Sequence, residues 1–313
     1  MLPNFFKLSS KHWSARFLLT VIAFFTTISV GTLASVAQNQ QNTRIIATFL
    51  PIYMFTRGVT GDDAQVDILI PPGAEVHDYQ ATPGNVRELA RADILVKNGL
   101  GMEEFLEQLI ANAGNPQLKQ IDSSQGIEPI EDDHDDDHGH GHEHEEGNPH
   151  VWLDPVLAQQ QVANIRDGLI EADPANAETY RTNAAAYIEQ LQQLDEEFTQ
   201  RLAPVRGCKF IAFHDAFPYL ARRYGLEQMA IVELPEDSIT PSDIQRVAEA
   251  VEQYQVKALL SEPQVDDKRL QQIANDLNLP VEQLDPIESG EADPQYYFQA
   301  MEQNLQSLER ACQ

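Results

Sequence analysis

Short β-rich runs alternate with helical patterns on both sides of a long stretch, residues 155–202, that carries no strand signal. That alternation constrains the fold more than any other feature. A strand that returns to its own sheet through a helix must run parallel to its neighbour, with a right-handed crossover. The strand candidates are residues 44–49, 66–70, 93–97, 209–213, 229–233, 257–261 and 280–284. The helix candidates between them are residues 83–91, 103–111, 215–224, 241–254 and 266–277. Thr240-Pro241-Ser242-Asp243 marks one helix start with an N-cap, a first-turn proline and an acid three residues after the cap.

Residues 174–202 are rich in Ala, Gln, Glu and Leu, and Tyr187, Leu191, Leu194 and Phe198 fall at helical spacing. They predict one long helix of roughly 40 Å at 1.5 Å per residue. The expected fold class is therefore α/β. Two lobes, residues 44–170 and 207–313, each carry a central, mostly parallel sheet flanked by helices. One long, rigid helix over 174–203 joins them. The 313 residues suffice for two domains of ordinary size.

Residues 1–37 read as a secretory signal peptide rather than part of the fold. Lys7, Lys11 and Arg16 form a basic start, residues 17–30 an apolar run, and Ser35-Val36-Ala37 a small-x-small cleavage site. No cysteine near that site suggests a lipid anchor, and no later segment is apolar enough to span a bilayer. A periplasmic location is expected, without membrane insertion after cleavage. In such a compartment the two cysteines, Cys208 and Cys312, could pair or stay as buried thiols. The net charge of -28 argues against nucleic acid as a partner.

Histidine is distributed in two ways. Residues 128–146 hold ten acids and five histidines, His134, His138, His140, His142 and His144. Such a tract cannot bury a core, and the loop over 128–147 is expected to be disordered. Alternating histidines could share a metal ion, more weakly than a preformed site because binding must order the chain. His12 falls in the expected signal peptide, and the other three, His77, His150 and His214, stand alone in turn-rich phrases. His77 and His214 follow predicted strands, and ligands of open α/β sheets bind beyond the carboxyl ends of strands. Three imidazoles suit Zn²⁺ and leave room for one oxygen donor. Asp285, after the 280–284 strand, is the first candidate for it and Glu75 the second. Asp78, Asp154 and Asp215 sit beside the three histidines and are expected to act as helix caps rather than to orient the rings.

Four phrases together resemble a known family. They are Pro71-Pro72-Gly73-Ala74-Glu75-Val76-His77-Asp78-Tyr79, Asn148-Pro149-His150-Val151-Trp152-Leu153-Asp154-Pro155, Phe213-His214-Asp215-Ala216-Phe217-Pro218-Tyr219 and Leu284-Asp285-Pro286. They resemble, in order, the metal-binding solute receptors of ABC importers, and most closely the zinc-specific ZnuA type. The resemblance implies ligation by His77, His150 and His214, with Asp285, water or a nearby Glu in fourth place. It implies a monomer that delivers Zn²⁺ to a permease in the cytoplasmic membrane. Manganese-type relatives carry a carboxylate where His214 stands, which favours zinc over manganese or another divalent ion. Zinc relatives also often carry a His- and acid-rich loop before the second ligand, where residues 131–146 sit. A mononuclear zinc hydrolase is the rival from another class, but the chain has no His-Glu-x-x-His and no evident general base beyond Glu75. A metal buffer without a transporter partner is a third reading. The protein is not expected to be an enzyme.

Overall fold

The computed structural model describes residues 43–131, 147–232, 239–263 and 268–313. The expected signal peptide and the five histidines of the acidic tract lie outside these residues.

The first lobe runs β1 (Arg44–Ala47), α1 (Leu50–Thr60), β2 (Gln65–Ile68), α2 (Pro83–Leu89), β3 (Ile94–Lys97), α3 (Leu106–Ala113) and β4 (Lys119–Asp122). Two helices follow, α4 (Pro155–Ala172) and α5 (Ala177–Leu202). The second lobe repeats the plan with β5 (Lys209–Ala212), α6 (Pro218–Tyr224), β6 (Glu227–Ala230), α7 (Pro241–Tyr254), β7 (Leu259–Ser261), α8 (Lys268–Leu277) and β8 (Val281–Gln283), and ends in α9 (Tyr296–Ala311). The sheets are ordered β2-β1-β3-β4 and β6-β5-β7-β8, and every pairing is parallel. The chain reverses its winding direction at β1 and again at β5. Those two strands are the switch points, where the crevice beyond the strand ends opens.

Both faces of the central strands are buried, as crossover helices require. Ile45 and Ala47 of β1 and Phe210 and Ala212 of β5 point into one common core. Ile46 and Ile211, on the opposite faces, belong to two separate outer cores. The common core therefore collects the inner faces of both sheets and runs on through Trp152, Tyr187, Phe198 and Tyr297. Phe198 is fully buried. Truncating such a side chain to Ala costs about 3–5 kcal/mol.

Helix α5 carries the seam. Tyr180, Ala184, Tyr187, Leu191, Leu194, Phe198 and Leu202 are its buried residues, at spacings of three and four. It packs on α1 of the first lobe and on α6 and α9 of the second. Its first turn is a separate 3-10 piece, Pro174–Asn176, after which the α-helix begins. Three elements were absent from the sequence-based expectation. Helix α1, Leu-Pro-Ile-Tyr-Met-Phe, is apolar on nearly every side and shows no clean period. Strand β4, Lys-Gln-Ile-Asp, is a mostly polar edge. Helix α9 packs on α5 and β8.

Local signals place several ends. Thr240 accepts from the backbone N–H of Asp243, whose carboxylate accepts from the backbone N–H of Thr240. Asp154 caps α4, accepting from Val156 N at 2.8 Å. Asp78 and Asp215 do not cap. Thr82 holds that position for α2, and α6 begins only at Pro218 after Phe217. Pro218 fixes the first-turn backbone, so the helix starts there rather than at residue 215.

Candidate metal centre

His77 stands on the loop after β2, His150 opens a 3-10 turn, Val151–Leu153, ahead of α4, and His214 follows the switch strand β5. The structure gathers these three with a fourth residue, Glu288. One donor atom from each lies within 4.8 Å of all the others. Nε2 of His150 and Nε2 of His214 are 3.4 Å apart. Glu288 Oε1 lies 3.8 Å from His150 Nε2 and 4.0 Å from His77 Nε2. The three imidazoles are at most 3% exposed and the carboxylate 13%.

Glu288 arrives through a strained turn. Ile287 has φ of 66°, in the left-handed region that costs a β-branched residue about 1–3 kcal/mol. Three contacts hold it there. Ile287 is fully buried in the common core, its N–H donates to Asp285 Oδ1 at 2.7 Å, and Trp152 Nε1 donates to the Pro286 carbonyl at 2.8 Å. From the other lobe, Gly73 N donates to the Glu288 carbonyl at 3.1 Å. At φ 82° Gly73 turns without a side-chain penalty, and brings the His77 loop against the Glu288 loop.

Asp285 and Glu75 are not in the group. The Asp285 carboxylate accepts from Ile287 N and, at 3.4 Å, from Tyr296 OH, so it closes the turn that presents Glu288. Glu75 is exposed. Local sequence offered little to single out Glu288. It is one of 49 acids and stands three residues beyond the Asp285 that a strand-end argument selects.

Burial and charge explain the electrostatics. Burial pushes Glu288 up to about 8, and Glu262, Glu75 and Asp285 add repulsion, against an opposing pull from His214. Burial raises Asp285 to about 6, against the opposing hydrogen bonds from Ile287 and Tyr296. Burial of His214 disfavours its cation, but the Glu262 carboxylate outweighs this and the ring titrates above its ordinary value. A cation held among these donors would favour the ionised form of Glu288 that burial and the neighbouring carboxylates oppose. Four donors at about 2.0–2.1 Å around a tetrahedral Zn²⁺ stand about 3.3–3.4 Å from one another. The His150–His214 edge already has that length, and the Glu288 edges to His150 and His77 need to shorten by less than about 1 Å.

Two parallel α/β halves with a closed, four-donor pocket of three imidazoles and one carboxylate at their seam define a bilobal metal-binding receptor. Residues 45–311 match the family described as zinc-uptake complex component A, periplasmic (ZnuA), and the chain belongs to that family. It is 33% identical to the high-affinity zinc uptake system protein ZnuA of Bacillus subtilis, over 95% of this chain and 97% of that one. It is 30% identical to the iron-binding protein YfeA of Yersinia pestis, over 86% of each. The Zn(II)-bound ZnuA-like domain of Streptococcus pneumoniae AdcA superposes with a TM-score of 0.73 at 32% identity, covering 87% of this chain and 99% of that domain. The chain spans about half, 55%, of the whole AdcA protein.

Proposed function

We propose that this protein is an extracytoplasmic receptor that captures Zn²⁺ and delivers it to the membrane permease of an ABC importer. The observation that carries the reading is the convergence of His77, His150, His214 and Glu288 at zinc-like spacing between two lobes. Three nitrogens and one oxygen favour zinc over Ca²⁺ and Mg²⁺, which take oxygen donors. They do not discriminate against Cu²⁺, which binds such sites more tightly. The iron-binding relative keeps another divalent ion as the second reading of the cargo. Four protein donors complete a tetrahedral shell, whereas a catalytic zinc keeps a position open for water. That favours a carrier over a hydrolase. Periplasmic release from a cleaved signal peptide, without a lipid anchor, and a monomeric state belong to the same proposal.

The tract holding His134, His138, His140, His142 and His144 serves in this reading as a secondary, weaker collector of zinc. Its composition supports this, and deleting residues 131–146 should lower the number of bound ions or uptake at scarce zinc.

The deciding experiment is titration of metal-free protein with Zn²⁺ against a competing chelator. One tight site is expected, lost in His77→Ala, His150→Ala and His214→Ala, with release accelerated by the permease. Tight binding that survives all three substitutions overturns the proposal.

A further inference from the structure

We infer that Asn148 is a positioning residue that makes the orientation of His150 depend on the contact between the two lobes. The inference rests on the metal-receptor reading above and concerns how that site is held and released.

The Asn148 side chain is 4% exposed and works in two directions. Its Nδ2 lies 2.7 Å from the backbone carbonyl of Asp215 and 3.2 Å from Asp215 Oδ2, both acceptors and both in the other lobe. That atom must therefore be the NH₂ group. The remaining atom, Oδ1, lies 3.1 Å from the His150 backbone N–H and 3.0 Å from His150 Nδ1. An amide oxygen has no proton to give, so His150 Nδ1 is the donor. Its Nε2 is then left with a lone pair, pointed at Nε2 of His214. The amide orientation is fixed from both ends by groups that have no choice of role.

The surrounding bonds hold Asn148 itself. Asn98 Nδ2 donates to the carbonyl of Pro149 at 3.0 Å, and Asn98 accepts from Gln161, so the phrase is anchored in the first lobe. Tyr219 of the second lobe donates to the Asn148 carbonyl at 2.6 Å. One short segment therefore presents a metal donor and meets the facing lobe at the same time. Separating Asn148 from Asp215 removes one of the two anchors of the amide and leaves Oδ1 held by His150 alone. The acceptor opposite His150 Nδ1 is then less firmly fixed, and so is the tautomer of the ring. Partners of this kind commonly change metal affinity 10–100-fold.

Wild-type protein without metal provides the first test. Nitrogen-15 NMR should find neutral His150 protonated at Nδ1, and a proton at Nε2 overturns the inference. Asn148→Asp keeps an oxygen opposite the ring but replaces the donor facing Asp215 with a second carboxylate. It should keep the tautomer and speed zinc dissociation at least about tenfold. Asn148→Ala should lose the tautomer preference and bind zinc about 10–100-fold more weakly. If neither variant folds, Asp215→Ala, which removes one of the two contacts, should accelerate release by a smaller factor, and an unchanged rate overturns the coupling. His150→Ala is measured in parallel. Wild-type binding by His150→Ala sinks the metal-site reading itself, whereas lost binding there with unaffected Asn148 variants sinks the coupling alone.

Discussion

Nδ1 of His214 lies 2.6 Å from Oε1 of Glu262, and the same oxygen accepts the His214 backbone N–H at 3.1 Å. The carboxylate is 5% exposed. It fixes both the ring and the peptide beneath it, and leaves Nε2 for the site. Glu262→Ala should therefore weaken zinc binding about 10–100-fold. Glu262→Gln should lose less, because its carbonyl oxygen can still accept. Chelator competition on both variants checks this, and equal affinity to wild type in Glu262→Ala would rule the role out.

Glu288 and Asp285 separate by role. Glu288→Gln removes the anionic donor and should cost at least about tenfold in zinc affinity, by analogy with other donor-shell losses. Asp285→Ala removes the acceptor that closes the strained turn at Ile287. It should cost about 1–3 kcal/mol of stability, as the loss of a buried hydrogen-bond partner does. Denaturant unfolding without metal and zinc titration, run on both variants, distinguish the two roles. A tenfold affinity loss in Asp285→Ala with none in Glu288→Gln would return the donor role to Asp285.

The pH dependence follows from the same groups. Asp285 and Glu288 titrate near 6 and 8 in the folded protein, above their ordinary values of 3.8 and 4.5. Each keeps its proton when folded at pH values where the unfolded chain has lost it, so raising the pH through this window drains stability. A raised imidazole such as His214 acts in the same direction: its contribution is full below 6.5 and is lost as the pH climbs through the folded value. The metal-free protein should lose on the order of 1.4 kcal/mol per pH unit for each such group between its two pKa values. Zinc bound by Glu288 and His214 expels their protons, so the rise in Tm that it produces should grow from pH 6 to pH 8. Scanning calorimetry with and without zinc measures it, and a rise that shrinks over that range contradicts the assignment.

Cys208 and Cys312 are joined by a disulfide across 104 residues, tying the start of β5 to the residue after α9. Closing a loop of that length restricts the unfolded chain by up to about 4.7 kcal/mol in the chain-entropy account. The double variant Cys208→Ser, Cys312→Ser should lose about 2–5 kcal/mol of stability. The tight zinc site should survive, since neither cysteine belongs to the donor group. Equal unfolding midpoints in reduced and oxidised protein would contradict this.

The architecture was legible where local chemistry decides it. Parallel crossovers follow from alternation, Thr240 and Asp154 announce helix starts, and the apolar rows on α5 mark its buried face. Helix α1 and strand β4 were hidden because an all-round apolar segment and a polar edge both lack a period. The three histidines stood out because a histidine between a strand and a helix is sparse in this chain. Glu288 did not, because its selection depends on a left-handed Ile287 and on Gly73 from a distant loop. Asp215 looked like a cap from its neighbours, yet it meets Asn148 across the seam, a pairing 67 residues long that no local pattern encodes.

The common core that takes in the inner faces of both sheets also bears on how a loaded molecule is told from an empty one. Halves fused through Trp152, Tyr187 and Tyr297 cannot swing apart without exposing that oily interior to water. The outline seen by small-angle scattering should then barely change on filling. A docking partner must read cargo from the rim, in the few loops around His77 and Glu288, rather than from the silhouette of the whole particle.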